Sequence, residues 1–238
     1  MRPKIRLFVE SPLQAGSGIA ATSGQAHYLR TVMRRAAGDP VLLFNGRDGE
    51  WIARIDADGR QGVRLEVEHQ VRAQVPEPGP SLLFAPIRRP RLELLVEKAT
   101  ELGAGALVPL RLRRAVVDRL NPERLRAIAI EAAEQSGRLT LPELRPLDSL
   151  EHALTRRPDG RLVFVGNPTG GGTPLAEAIT THGAGDLLIG PEGGFAPEEL
   201  DVLTASPGVV LVSLGPLVLR AETAALAGLA IVRACNAR

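Results

Sequence analysis

Two short apolar segments near the C-terminus each lead into a glycine-containing loop and then into a stretch with helical spacing. The first loop lies within residues 187–195, LLIGPEGGF, and the second within residues 213–224, SLGPLVLRAETA. Strand, loop and helix in this order form the repeating unit of a parallel α/β sheet, and ligands bind where such strands end. The sequence therefore predicts a ligand site built from these two loops.

Glu192, in the middle of the first loop, restricts the kind of ligand. A glycine-rich loop before a helix is typical of phosphate binding, because backbone N–H groups and the helix dipole favour anions. A carboxylate would repel a phosphate, and the sequence lacks both the Gly-Lys-Ser/Thr ending of a P-loop and a Gly-x-Gly-x-x-Gly pattern. We therefore expect a neutral or cationic ligand, a description that S-adenosylmethionine fits. Glycines that only permit a tight turn are the alternative.

The first third of the chain has a β-rich pattern interrupted by one helix. Turn signals such as Asn45-Gly46 separate the apolar runs, which favours a small β-barrel or curled sheet. Residues 25–35 have helical spacing, with Arg30 and Arg34 one turn apart. Residues 73–80 contain three prolines, which mark a linker. The predicted strands are residues 5–9, 41–44, 51–55 and 62–67.

The remainder alternates between strand and helix patterns, which predicts an α/β domain with a mostly parallel sheet covered on both faces. Asn121 and Pro122 are typical of the N-cap and first position of a helix. We predict domains at residues 1–73 and 81–238, joined by a linker at 74–80. The predicted strands are residues 81–85, 106–110, 161–165, 186–189 and 209–212, and the first two helices span about 90–102 and 122–135.

Charge is distributed unevenly along the chain. Residues 1–145 contain 23 basic and 17 acidic side chains, whereas residues 146–238 contain 6 and 10. A basic first part suits an RNA partner, although a generally arginine-rich, solvated surface is the alternative. One cysteine and four histidines offer no set of zinc ligands, so we expect no metal. No apolar run of about 18 residues or secretion signal is apparent, which favours the cytoplasm.

The two loops resemble the signature of the SPOUT methyltransferases, most closely the RsmE-type enzymes that methylate uracil N3 in 16S (small-subunit) ribosomal RNA. Three further segments are similar to that family in the same order: HYLR at 27–30, EKATELG at 97–103 and EAAEQSGR at 131–138. The resemblance covers nearly the whole chain. It is therefore more specific than either loop alone.

The resemblance implies a smaller N-terminal PUA-like β-barrel that binds RNA and a C-terminal SPOUT domain with a trefoil knot. It also implies a homodimer that uses S-adenosylmethionine to methylate N3 of a specific uridine. A SPOUT ribose 2′-O-methyltransferase and a non-catalytic RNA-binding assembly factor are the alternatives. An enzyme acting on nucleotide phosphates is a third, which Glu192 opposes.

Arg220 is the candidate for stabilising negative charge on the uracil oxygens, because its guanidinium stays protonated. Glu222 is a candidate proton acceptor or a carboxylate that orients Arg220, and a helix cap is the alternative. Glu192 would bond the ribose or orient its loop, and Thr223 would contact the cofactor or cap the last helix. The predicted cofactor residues are Val165, Gly166, Ile189, Gly190, Glu192, Gly193, Gly194, Leu214, Gly215, Leu219 and Thr223. The predicted RNA contacts are Arg30, Arg34, Arg35 and Arg138.

The second loop departs from the family pattern at two positions. Position 217, usually Arg, is Leu217, and position 221, usually Thr, is Ala221. A second cation and a hydroxyl are therefore missing beside the predicted catalytic centre. Stabilisation of the negative charge on the uracil oxygens is therefore assigned to Arg220 alone.

Overall fold

The chain forms one largely antiparallel sheet and one parallel sheet. The computed structural model describes residues 3–56, 62–117, 119–167 and 171–236. The first sheet belongs to a unit formed by Met1–Glu77 and Ala133–Leu141. The second belongs to a unit formed by Pro78–Ala132 and Pro142–Arg238. The domain limits given above stay a prediction, and residues 133–141 group with the N-terminal unit.

The N-terminal unit contains five strands in the spatial order β1-β3-β4-β5-β2, with β1 and β3 parallel and the other pairs antiparallel. Four of the strands coincide with the predicted β runs, with ends that differ by a few residues. The short strand β2 was not predicted, because its three residues include one buried side chain, Ile19, and give no alternation to read. The strands are β1 (Arg6–Phe8), β2 (Gly18–Ala20), β3 (Pro40–Phe44), β4 (Glu50–Asp56) and β5 (Arg64–Arg72).

The helix of this unit differs from the prediction of one helix over residues 25–35. Helix α1 (Ser23–His27) begins earlier, because Thr22 and Gln25 form a reciprocal capping box. It continues as a π-helical turn, Tyr28–Val32, in which the Met33 N–H donates to the Tyr28 carbonyl at 2.9 Å. The left-handed φ of 50° at Arg34 then ends the helical path.

The second unit contains a parallel sheet in the order β11-β13-β10-β12-β6-β7-β8, and β9 also pairs in parallel with β7. The five predicted strands and the first two predicted helices of this domain are confirmed within one or two residues. The strands are β6 (Ser81–Phe84), β7 (Ala106–Arg111), β8 (Glu143–Leu144), β9 (Asp148–Ser149), β10 (Leu162–Gly166), β11 (Thr173–Pro174), β12 (Gly185–Ile189) and β13 (Val209–Ser213). The helices that begin in this unit are α2 (Arg89–Glu101), α3 (Pro122–Ser136), α4 (Leu150–Thr155), α5 (Leu175–His182), α6 (Pro197–Ala205) and α7 (Ala221–Asn236).

Side chains of the parallel sheet alternate between two apolar layers, one on each face of the sheet. Leu82 and Phe84 pack in the layer that contains residues of α2, α5 and α7, whereas Leu83 packs with Leu150 of α4 and Leu203 of α6. Each fully buried side chain of this size contributes about 1.5–3 kcal/mol. Both faces of the sheet are thus covered, as predicted. Of the helices that the structure describes, none has the length and apolarity needed to cross a membrane.

Helices α2 and α3 begin and end where their sequences indicate. The Asn121 Oδ1 accepts a hydrogen bond from the Arg124 N–H at 3.0 Å, which confirms Asn121 as the N-cap of α3. Gly103 follows α2 with a φ of 84°, a conformation that glycine adopts without strain. Glu93 of α2 accepts hydrogen bonds from Arg89 at 3.0 Å and from the Arg124 Nη2 at 3.0 Å, which ties α2 to α3.

The Glu93 contacts predict a pH-dependent stability. Hydrogen bonds from Arg124 and then Arg89 lower the pKa of Glu93 from 4.5 to about 2. Because the folded pKa lies below the unfolded one, the stabilisation is complete above about pH 4.5 and is lost as pH falls towards about 2. The stability advantage of the parent over Glu93→Gln should therefore shrink between about pH 5 and about pH 3 in urea unfolding. A Glu93→Gln difference that stays constant with pH would contradict the assignment.

Candidate functional site

Three neighbouring parallel strands end at the same edge of the second sheet. Strand β10 lies between β12 and β13, and Val165 is in register with Leu188 on one side and Leu211 on the other. The loops that follow the three strands therefore begin at the same height. Such an edge is where parallel α/β sheets bind their ligands.

The loops enclose a pocket of about 540 Å³, counting the space open to solvent. Seven of the eleven predicted cofactor residues line it, so the structure brings most of the predicted site together. That they bind a cofactor stays a prediction. The lining residues are Gly166, Asn167, Ile189, Gly190, Pro191, Glu192, Leu214, Gly215, Leu217, Val218, Leu219, Ala221 and Ala224.

The other four predicted cofactor residues lie beside the pocket lining. Val165 is fully buried within β10. Gly193 and Gly194 form the far side of the first loop, where the Gly194 N–H closes a turn on the Pro191 carbonyl at 2.8 Å. Thr223 is exposed in the first turn of α7, which begins at Ala221, so the alternative that Thr223 is the N-cap is wrong.

The floor of the first loop explains its glycines. A Cβ at Gly190 would lie 2.7 Å from the ring of Phe195, which is itself buried, so only glycine fits against that ring. Gly194 has a φ of 73°, which the turn requires. Within the segment GPEGGF the loop thus folds back so that Gly190 packs against the ring of Phe195.

Two side chains missed by the sequence interpretation hold the first loop from outside. The Arg114 Nη1 donates to the Gly193 carbonyl at 2.6 Å. The buried carboxylate of Glu199 accepts the N–H of Ala196 at 2.8 Å and that of Arg113 at 2.7 Å. Glu199 belongs to the acidic pair that follows the loop in the sequence, which was the available signal. Nothing local marks Arg114.

The second loop contributes an apolar wall. Leu217 and Val218 line the pocket, yet 76% and 81% of their surfaces are exposed. Ala221 also lines it and is buried. The two departures from the family pattern, Leu217 and Ala221, therefore both face the pocket. Asn167, Pro191, Val218 and Ala224 are lining residues that the sequence interpretation did not include.

The two predicted catalytic residues stand at the start of α7 in different surroundings. Arg220 is exposed, lies between the lining residues Leu219 and Ala221, and its carbonyl accepts the first helical hydrogen bond from Ala224 at 2.8 Å. The Glu222 carboxylate is 10% exposed, and its Oε1 lies 3.4 Å from the Nε of Arg91. Among the described residues, Glu222 therefore pairs with Arg91 of α2 and not with Arg220.

The four arginines predicted to bind RNA belong to the N-terminal unit and differ in exposure. Arg30, Arg34 and Arg35 are exposed, on or just after the π-helical turn. The Arg138 side chain is 9% exposed, donates to the Thr140 Oγ1 at 3.3 Å and lies 4.0 Å from Glu77. An RNA phosphate therefore has direct access to the first three but not to Arg138.

The contact between Gly190 and Phe195 predicts a position-specific effect on stability. Gly190→Ala should overpack the loop floor and lower the free energy of unfolding by about 1–3 kcal/mol. Gly193→Ala is the matched control, because a Cβ there meets its nearest neighbour, Arg114, at an ordinary 3.5 Å. Its effect should stay within about 0.5 kcal/mol. Equal effects of the two substitutions in chemical unfolding would contradict the role of the Phe195 ring.

Solved structures with the same fold include methyltransferases. A ribosomal RNA small subunit methyltransferase E from Neisseria gonorrhoeae, bound to S-adenosylmethionine, is 26% identical with a TM-score of 0.82, covering 95% of each chain. A protein from Legionella pneumophila, in complex with the same cofactor, is 27% identical with a TM-score of 0.82, covering 98% of each chain. The parallel α/β unit and its companion domain thus have close structural counterparts.

Sequence comparison gives the family. A ribosomal RNA small subunit methyltransferase E from Rickettsia conorii is 32% identical, and the match covers 96% of this chain and 94% of the relative. The RNA methyltransferase PUA domain matches residues 22–68, and the RNA methyltransferase domain matches residues 77–233. With a PUA-like N-terminal domain and a parallel-sheet catalytic fold that carries the pocket, the chain belongs to the RNA methyltransferase family.

Proposed function

We propose that this protein transfers the methyl group of S-adenosylmethionine to N3 of a specific uridine in 16S (small-subunit) ribosomal RNA. One observation carries the proposal: the glycine loops form a pocket at the carboxyl edge of the parallel sheet in a chain of the RNA methyltransferase family. The relatives named as ribosomal RNA small subunit methyltransferases support the substrate, because they match nearly the full chain.

The composition of the pocket supports the cofactor. Its wall combines apolar side chains such as Ile189, Leu214 and Leu219 with backbone groups of Gly166 and Gly190, a lining that suits an adenine ring and its polar edge. Glu192 supplies carboxylate oxygens that can accept hydrogen bonds from ribose hydroxyls, and its charge is balanced by Arg91, whose Nη1 donates to Oε1 at 2.8 Å. When bound, S-adenosylmethionine supplies an electrophilic methyl group.

The residues of the second loop supply what methylation of a uracil needs. N3 gives its proton to a base or to solvent and attacks the sulfonium methyl, with S-adenosylhomocysteine as the leaving group, so negative charge develops on the adjacent ring oxygens as the proton leaves. Arg220 is exposed beside the pocket and carries a permanent charge, which suits it to stabilise those oxygens. For Glu222, burial beside Arg91 supports a role in orienting charged groups more than one as proton acceptor.

The substrate and setting follow from the same family. The PUA domain and the exposed Arg30, Arg34 and Arg35 provide a basic surface for ribosomal RNA. The proposal also includes a homodimer, a trefoil knot in the catalytic domain and a cytoplasmic location. These three parts rest on the family resemblance.

Methylation of ribosomal RNA from a strain that lacks this protein tests the proposal. Purified protein with S-adenosylmethionine should add N3-methyluridine to small-subunit RNA, located by nucleoside mass spectrometry after nuclease mapping. RNA from the parent strain, already modified, should accept no methyl group. A methyl group on the ribose would instead indicate a 2′-O-methyltransferase. No heat of S-adenosylmethionine binding at millimolar concentration would indicate a non-catalytic RNA-binding factor.

Arg220→Ala tests the catalytic assignment in the same assay. Loss of the guanidinium should lower kcat by ~10²–10³, because a preorganised donor stabilises the transition state more than the bound substrate. Arg156→Ala is the control, since Arg156 is an exposed arginine at the C-terminus of α4, outside the pocket lining. Full activity of Arg220→Ala would rule out the proposed role of Arg220.

A further inference from the structure

The start of α2 is an unfavourable place for the arginines that it contains. Arg88 is the N-cap, Arg89 and Arg91 lie in the first turn, and that turn contains no acidic residue. Helix N-termini carry partial positive charge, so cations there are destabilising unless other groups compensate. Sequence positions that break such a local preference often serve a function elsewhere in the fold.

Arg91 is compensated by two carboxylates from distant parts of the chain. Its Nη1 donates to the Glu192 Oε1 at 2.8 Å, and its Nε lies 3.4 Å from the Glu222 Oε1. Glu192 is on the first loop and lines the pocket, whereas Glu222 is in the first turn of α7. One guanidinium therefore joins two segments that both contribute to the pocket wall.

Glu222 depends on this contact. Its side chain is 10% exposed, and its Oε2 is buried without a hydrogen-bond partner among the residues that the structure describes. A buried carboxylate that loses its counter-ion is strongly destabilising, because the charge has left water without compensation. Arg91 therefore supplies the counter-ion of a carboxylate in the first turn of α7.

Glu192 depends on Arg91 for the conformation of its side chain. The Glu192 side chain is 55% exposed on a loop, so without a partner its carboxylate would sample many rotamers. A guanidinium hydrogen bond to Oε1 restricts it at the wall of the pocket. Preorganisation of this kind increases ligand affinity because less entropy is lost on binding.

We propose that Arg91 is a positioning residue of the methyltransferase site, which holds Glu192 in place for the cofactor and balances the charge of Glu222 at the start of α7. The inference rests on the proposed function for its cofactor part. Its second part concerns the protein without ligand, and it can be tested separately.

Calorimetric titration with S-adenosylmethionine tests the first part. Arg91→Gln should raise Kd about tenfold, the effect of losing a charge-assisted hydrogen bond. Glu192→Gln should do the same, and the double variant should be no more than about twofold weaker than Glu192→Gln alone, because the two residues act as one unit. Arg91→Lys, which retains the charge without the fork, should fall between parent and Arg91→Gln.

Arg89→Gln is the matched control for these titrations. Arg89 lies in the same helical turn and pairs with Glu93, outside the pocket, so its Kd should stay within about twofold of the parent. A Kd for Arg91→Gln equal to that of the control, or independent effects of Arg91→Gln and Glu192→Gln, would overturn the first part. Absence of binding by the parent protein would refute the cofactor proposal itself.

Thermal unfolding without ligand tests the second part. Arg91→Gln should lower Tm, and adding Glu222→Gln should recover most of that loss, because a neutral amide needs no counter-ion. If Arg91→Gln does not fold, Arg91→Lys and its combination with Glu222→Gln give the same comparison. A double variant less stable than either single variant would overturn the pairing.

Discussion

The parallel pairing of β10 with β12 on one side and β13 on the other determines where the loops of the pocket begin. Phe164 of β10 and Leu187 of β12 are in register with each other, and both are buried in the same apolar layer. Because both faces of the sheet are buried, a slip of one residue would exchange Phe164 with the smaller Val163 or Val165 between two packed layers, and this mismatch in volume specifies the register. Loops that follow paired strands of fixed register then start at fixed positions relative to one another.

The parts of the structure that the sequence predicted are those determined by neighbours along the chain. The first loop, predicted from its glycines, turns within the segment GPEGGF, and Asn121, predicted as an N-cap, caps the helix that follows it. The parts that it did not predict depend on residues far apart in sequence. Arg91 meets Glu192 across 101 positions, and no periodicity or spacing marks such a pair.

Burial likewise separates residues that look equivalent in the sequence. Arg138 and Arg30 are both arginines in family-like segments, yet Arg138 is buried beside Glu77 and Arg30 is exposed. The π-helical turn was missed for a related reason: its sequence has ordinary helical spacing, and only the backbone hydrogen bond of Met33 to Tyr28 distinguishes it. Side-chain pattern alone carries no record of such a hydrogen bond.

The arginine-rich start of α2 has a consequence for local stability. Its first turn is opposed by its own dipole. Arg89 is paired with Glu93 of the same helix, whereas the carboxylates that pair with Arg91 come from the first pocket loop and from α7. Movement of either segment would let the end of α2 fray, while the rest of the helix stayed in the apolar layer. Exchange of the Arg91 and Leu92 amide hydrogens, which are bonded to the Arg88 carbonyl, would then report on the state of a pocket whose lining contains no residue of α2.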